Sequence, residues 1–496
     1  MDLLTLLEKI AGLLWSVPMV VLCMTVGVIY SVALKFPQIV RIKDMAHYLI
    51  AGESSNSGIS SFQSFAMALG GRLGIGAIAG VATAVCFGGP GAIFWMWVYA
   101  IFGAASAFAE AVLGQIWKES VGGEYRGGPA YYIEKGAKLK PVAITFAIFA
   151  VIAFGFTAPA IQAFNIAEAA KNAFGINTAI TGAFVAILFG LVVFGGMKRI
   201  GRFAEIVVPV MAAGYFIVMI IILVINAKEI PSMFALIFNS AFSLDAVFGG
   251  IWGSAILWGV RRAVYSTEAG MGSGAHAAAS AEVSHPVKQG LAQAFSVYVD
   301  TIFGCTATGL MIMVTGMYNV IDKSGNFLRE GVPGVDPGTP YVQAAINTAL
   351  PGNMGSAFIA IAIFFFAITT ILSFGFYVMP NISYLLKDSK NLKQITLIIG
   401  VVQMFSVFIG STRSSAFAWN LADIGVGLIS WINLIGLLFL VKPVMSATKD
   451  FNQQRDAGLD PVFDPEKCGI HNADLWKDIV KKNYSDLVQT NNSKKK

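Results

Sequence analysis

Apolar runs of the length that crosses a bilayer, about 20 residues each, alternate with short polar links along most of this chain. They fall near 13–34, 62–85, 92–117, 142–163, 178–195, 204–225, 249–262, 290–316, 355–385, 395–411 and 416–441, about eleven crossings. From Ala447 onward the pattern stops and the chain is polar, so no fold is expected of that stretch. The implied fold class is an all-α polytopic membrane protein. Its parts are an N-terminal helix with a cytoplasmic loop (1–59), a core (60–442) whose halves run about 60–226 and 246–442, and a polar cytoplasmic tail (443–496).

One run differs in kind from the rest. The stretch 62–85 carries Gly70, Gly71, Gly74, Gly76 and Gly80 together with Arg72. Each glycine weakens a helix interior by about 1 kcal/mol relative to alanine, so the helix is predicted to open at Gly74 and Gly76. Unwound backbone at that depth must line a polar cavity, because lipid satisfies no free N–H or C=O. The plainer reading of such glycines is close helix packing. The sixth core run also begins with glycines, Gly249, Gly250 and Gly253. Setting the first run aside leaves ten spans, each group of five opening on a glycine-interrupted helix. That placement points to an inverted repeat with a binding site between the two breaks.

Charge then orients the chain. Lys35, Arg41 and Lys43, the group Lys118 to Lys140, Lys198 to Arg202, Lys387 to Lys393, and Lys442 and Lys449 fall in alternate links, whereas the opposite links carry scattered cations such as Lys228, Lys323 and Arg413. The bias predicts an N-terminus outside and a cytoplasmic C-terminus in a multi-pass plasma-membrane protein. It also accounts for the net charge of +6 without nucleic acid. With 56% hydrophobic and 12% charged residues and a mean hydropathy of +0.70, a soluble enzyme is excluded. Cys23, Cys86, Cys305 and Cys468 lack ligand spacing, and no transition-metal site, cofactor, phosphate loop or hydrolase motif is expected. No obligate protein partner is implied. The apolar start lacks a basic leader and a cleavage site, so the first span is expected to stay.

Several stretches resemble the alanine or glycine:cation symporter family, also called the sodium:alanine symporters. They are Ala79 to Ala84, GGPGAIFWMW from Gly88, RGGPAYYIEKG from Arg126, STEAGMGSGAHAAA from Ser266, HPVKQGL from His285 and FAITTIL from Phe366. The resemblance implies a five-plus-five inverted-repeat transporter with one extra N-terminal span, carrying a small amino acid inward with sodium or a proton. A sodium-independent carrier is the alternative within the class, and an ion channel the alternative outside it. Where the family has Gly-Thr-Gly-Asn, this chain has Gly74-Ile75-Gly76-Ala77, so Ala77 offers no side-chain ligand to the sodium beside the substrate. Its Gly-Trp stands here as Ser373-Phe374, and the Gly-Glu that follows as Val378-Met379.

An amino-acid zwitterion needs donors for its carboxylate. The freed N–H groups from Gly74 through Gly76 to Ala77 are the expected donors, at the positive end of a half-helix. By resemblance, Gln162 and Phe374 join the substrate pocket, against plain readings of a helix–helix hydrogen bond and aromatic packing. By resemblance again, the carbonyls of Gly70 and Leu73 and the hydroxyls of Thr369 and Thr370 form a sodium site, against threonines that only bond their own backbone. Arg72 costs at least about 2.5 kcal/mol at mid-membrane and is expected to pair with Glu110 or Asp300. A coupling role and a purely structural ion pair weigh equally there. His276 and His285 are expected to pack within a cytoplasmic loop.

Overall fold

In lipid each backbone polar group must be satisfied within its own segment, so apolar runs become helices. The computed structural model describes residues 3–49, 55, 57–245, 247–387 and 389–494. Lys495 and Lys496, the end of the basic tail, lie outside that set. Among the described residues eight helices are long and apolar enough to cross a membrane. The shorter Thr178–Val193 and two interrupted helices, 61–88 and 252–280, bring the crossings to eleven. Counted after the N-terminal Leu3–Ala33, the core helices are 61–88, Gly91–Ile116, Lys140–Phe174, Thr178–Val193, Gly196–Ile225, 252–280, Pro286–Val314, Met354–Leu385, Leu392–Ser411 and Ser415–Leu438. The second, seventh and eighth are mostly buried, whereas the fifth and ninth present most of their surface outward. Hence the polar groups of the interior gather where the second, seventh and eighth enclose the two interrupted helices.

The first core helix opens where its glycines lie. Ser61–Arg72 starts on a capping box, with the Ser60 hydroxyl accepting from the Gln63 N–H and the Gln63 carboxamide accepting from the Ser60 N–H. It ends at Leu73 and an extended Gly74, passes through one 3₁₀ turn, Ile75–Ala77, and resumes as Ala79–Gly88.

The sixth core helix opens elsewhere than its glycine-rich start suggests. Gly249–Ile251 is a 3₁₀ turn at the beginning, and Gly250 and Gly253 have open space around them. The interruption lies after Trp252–Thr267, at 268–272, where Glu268, Gly270 and Gly272 all take positive φ before Ser273–Ser280 begins. Glycines at the end of a helix are inexpensive, whereas a left-handed turn inside one ends it. The polar stretch expected as a cytoplasmic loop is therefore the buried second half of a core helix. His276 belongs to that half: its Nδ1 meets the Gly127 carbonyl at 2.7 Å and its Nε2 the Asn381 amide at 3.1 Å. His285 caps the next helix and faces Asp450 at 3.3 Å. Two π-helical segments, Ala153–Thr157 and Val299–Cys305, widen the third and seventh core helices, a feature common at functional sites.

The polar tail also folds. Val441–Asp456, Leu475–Asn483 and Ser485–Lys494 are helices, and Trp476 is fully buried. Its indole donates to the Gln115 carbonyl (3.0 Å) and packs edge-on against Phe463 (5.0 Å). Lys288–Asp460 (2.5 Å) and Arg455–Asp44 (2.6 Å) tie the segment to the core and to the first link. Average polarity hid a sparse apolar face of Phe451, Phe463, Ile470, Trp476 and Ile479, enough to dock on helix ends that would otherwise meet water.

Candidate functional site

Glycine is required at the first interruption because three other helices close on it. A Cβ on Gly76 would stand 2.8 Å from the Ser266 Cα of the sixth core helix, closer than real Cβ contacts come. A Cβ on Gly74 would collide with the Thr370 hydroxyl of the eighth. The Gln162 carboxamide oxygen, from the third, accepts from the Ile75 N–H at 3.3 Å. Thus Gly74, Gly76 and Gln162 come together, with Gln162 occupying a backbone donor that the broken helix sets free. Ala77 follows in the 3₁₀ turn, buried near Gly304 of the seventh core helix.

One turn earlier the Gly70 carbonyl accepts from both threonines, Thr370 at 2.8 Å and Thr369 at 3.3 Å. Each hydroxyl also reaches the Phe366 carbonyl of its own helix at 2.9 Å, so the local bonding expected of a helical threonine coexists with the contact between helices. Leu73, the C-cap residue, bonds back to the Leu69 carbonyl at 2.7 Å. Phe374 lies one turn beyond Thr370 on the eighth core helix and stacks on Phe154 (5.7 Å), with Tyr377 at 6.2 Å.

Arg72 does not pair with either acid expected for it. Its Nε donates to the Thr267 carbonyl (2.6 Å), and its Nη1 donates to the Gln293 carboxamide oxygen (2.9 Å) and to the Ser296 hydroxyl. Nη2 has no partner. Glu110 instead accepts from the Gly272 N–H (3.0 Å) and the Asn433 amide (2.6 Å). Asp300 accepts from the Ser266 (2.9 Å) and Thr301 (2.8 Å) hydroxyls. The cation is thus held by neutral acceptors, while each acid has donors of its own that leave it no reason to turn toward the guanidinium.

Sequence reasoning missed Glu268. Its carboxylate accepts from Ser273 (2.9 Å) and Tyr377 (3.4 Å), and a Cβ on Gly71 would lie 3.1 Å from both of its oxygens. The available signal was Glu268 within the STEAGMGSG stretch, followed by Gly270 and Gly272 at a spacing suited to a left-handed turn. Read as a loop, that stretch gave no reason to look for a buried acid.

Two interrupted helices meeting around buried polar groups, inside a scaffold of uninterrupted ones, define a class of membrane protein: secondary transporters that alternate access to a central site. The sequence profile of the sodium:alanine symporter family matches residues 1–465. The putative sodium/proton-dependent alanine carrier protein YrbD of Bacillus subtilis (strain 168) is 48% identical over 466 residues, 94% of this chain and 96% of that protein. The sodium/proton-dependent alanine carrier protein of Bacillus sp. (strain PS3) is 45% identical over 439 residues, 88% of this chain and 98% of that protein. Among solved structures, that of MhsT in complex with L-phenylalanine aligns with a TM-score of 0.51 at 15% identity, covering 89% of this chain and 100% of that one, a likeness of fold. The chain belongs to the sodium:alanine symporter family.

Proposed function

We propose that this protein carries a small neutral amino acid, alanine, glycine or one of similar size, into the cell together with sodium. The observation that carries the reading is the convergence of Gly70, Thr369 and Thr370 one turn before a break at which neither Gly74 nor Gly76 has room for a Cβ. Three oxygens at one point suit a hard cation, and backbone N–H groups beside them suit a carboxylate. On this reading the substrate carboxylate takes the Ile75 N–H from Gln162, and the freed carboxamide turns to the ligand. The Leu73 carbonyl, at the helix end, completes the sodium ligands, and Phe374 with its aromatic neighbours bounds the side-chain end of the pocket. Ala77 adds no ligand, so one sodium ion accompanies each substrate. The N-terminus lies outside the plasma membrane and the C-terminus in the cytoplasm, which makes the docked tail a cytoplasmic feature.

A second reading, proton-coupled or sodium-independent uptake, is favoured by Arg72, a buried cation held only by neutral groups. Measuring labelled alanine and sodium fluxes together in proteoliposomes separates the two. The expected result is uptake that depends on sodium with a Hill coefficient near one. A ratio of two sodium ions per alanine rejects the single site, and uptake unchanged without sodium rejects sodium coupling.

A further inference from the structure

Behind the substrate and sodium subsites lies a buried ionic centre that neither of them uses. We propose that Glu268 is a proton-exchange site of this carrier, loaded from one side of the membrane and discharged to the other as the two interrupted helices rearrange. The inference rests on the carrier reading above.

Three carboxyls, Glu110, Glu268 and Asp300, are enclosed with one guanidinium, Arg72, and none of the four is more than 1% exposed. Three carboxyls thus face a single guanidinium in one enclosure, and buried charge of one sign in excess of the other is costly. Two of the three carboxyls are fastened. Both oxygens of Asp300 take hydroxyls from its immediate surroundings, and Glu110 is held by a backbone N–H and Asn433, both acids lying on uninterrupted helices. Glu268 alone of the three sits on an interruption; its Oε1, like Oε2 of Glu110, is buried without a hydrogen-bond partner among the described residues.

The groups around Glu268 come from every helix that closes on the second interruption. They are Arg72 and Gly71 of the first core helix, Glu110 and Tyr99 of the second, Asp300 of the seventh, Tyr377 of the eighth and Asn433 of the tenth, with Tyr265, Ser273 and His276 on the sixth itself. Its two hydrogen-bond partners, Ser273 and Tyr377, are hydroxyls. A hydroxyl donates to a carboxylate and accepts from a carboxylic acid, so both protonation states can be satisfied by rotation alone. Movement of either interrupted helix changes the distance between Glu268 and Arg72, and with it the preference for the charged form. The step moves one proton: it joins Oε1 from water on one side and leaves to water on the other, with no other bond made or broken.

Wild type, Glu268→Gln and Glu268→Asp proteins are compared in proteoliposomes with equal sodium on both sides, alanine outside and an imposed pH gradient. Wild type is expected to accumulate alanine with acidification of the lumen. Glu268→Gln should lose both, while alanine counterflow, which needs no net proton movement, falls less. Glu268→Asp should keep both with a displaced pH profile. Undiminished lumen acidification in Glu268→Gln overturns the proposal, as does loss of sodium dependence with proton entry intact. Should wild type carry no alanine, the functional reading fails separately. The proton site is then read by infrared titration of detergent-solubilised protein. A protonated-carboxyl band that wild type loses with rising pH and Glu268→Gln lacks supports it, and an identical band in both overturns it.

Discussion

At Gly76 the absence of a side chain lets the two interrupted helices approach closely, because a Cβ there would stand 2.8 Å from the Ser266 Cα. Gly76→Val should therefore abolish alanine binding, since a β-branched side chain also favours the closed helix over the open turn. Thermal-shift titration with alanine would detect no stabilisation of the variant, while its abundance in membranes stays near that of wild type; normal uptake would reject the subsite. The glycine was legible in the sequence, but the neighbour that makes it necessary was not, because Ser266 lies far along the chain. Arg72 shows the same limit from the other side. Its unusual position was evident from hydropathy, yet its partners, Thr267, Gln293 and Ser296, are neutral and look unremarkable in a sequence.

The two interrupted helices were not equally visible at the scale of elements. In the first, clustered glycines coincide with the break. In the second, the glycines at 249–253 mark only the start, and the break is set by positive φ at Glu268, Gly270 and Gly272. The segment after it, Ser273–Ser280, is too short and too polar to register as a span, and it is enclosed by protein rather than lipid. Helix-to-helix contact also decides the threonines. Each satisfies its own backbone and the Gly70 carbonyl together, and Thr370 additionally lies 3.3 Å from the Gly71 carbonyl. Thr370→Ala is expected to remove sodium dependence, because the helix end keeps its carbonyls but loses the hydroxyl that closes the proposed ligand set. Sodium titration of alanine uptake checks this, and a curve superimposable on wild type would reject the site.

For the whole molecule, the docked C-terminal segment makes the face it covers continuous with the core. Trp476→Ala should cost about 3–5 kcal/mol, the usual price of a vacated aromatic site, seen as a lower unfolding temperature of the detergent-solubilised protein; an unchanged temperature would show that the segment docks too weakly to matter. The membrane environment, the number of crossings, the first interruption and the family could be read along the chain, because they follow from hydropathy, glycine clustering and contiguous motifs, all of them local. Packing settled where the sixth core helix opens, that the polar tail folds, and that Arg72 rests among neutral groups while Glu268 stands opposite Gly71. Those outcomes depend on which surfaces meet and which buried polar atoms find partners, and such pairings join residues hundreds of positions apart.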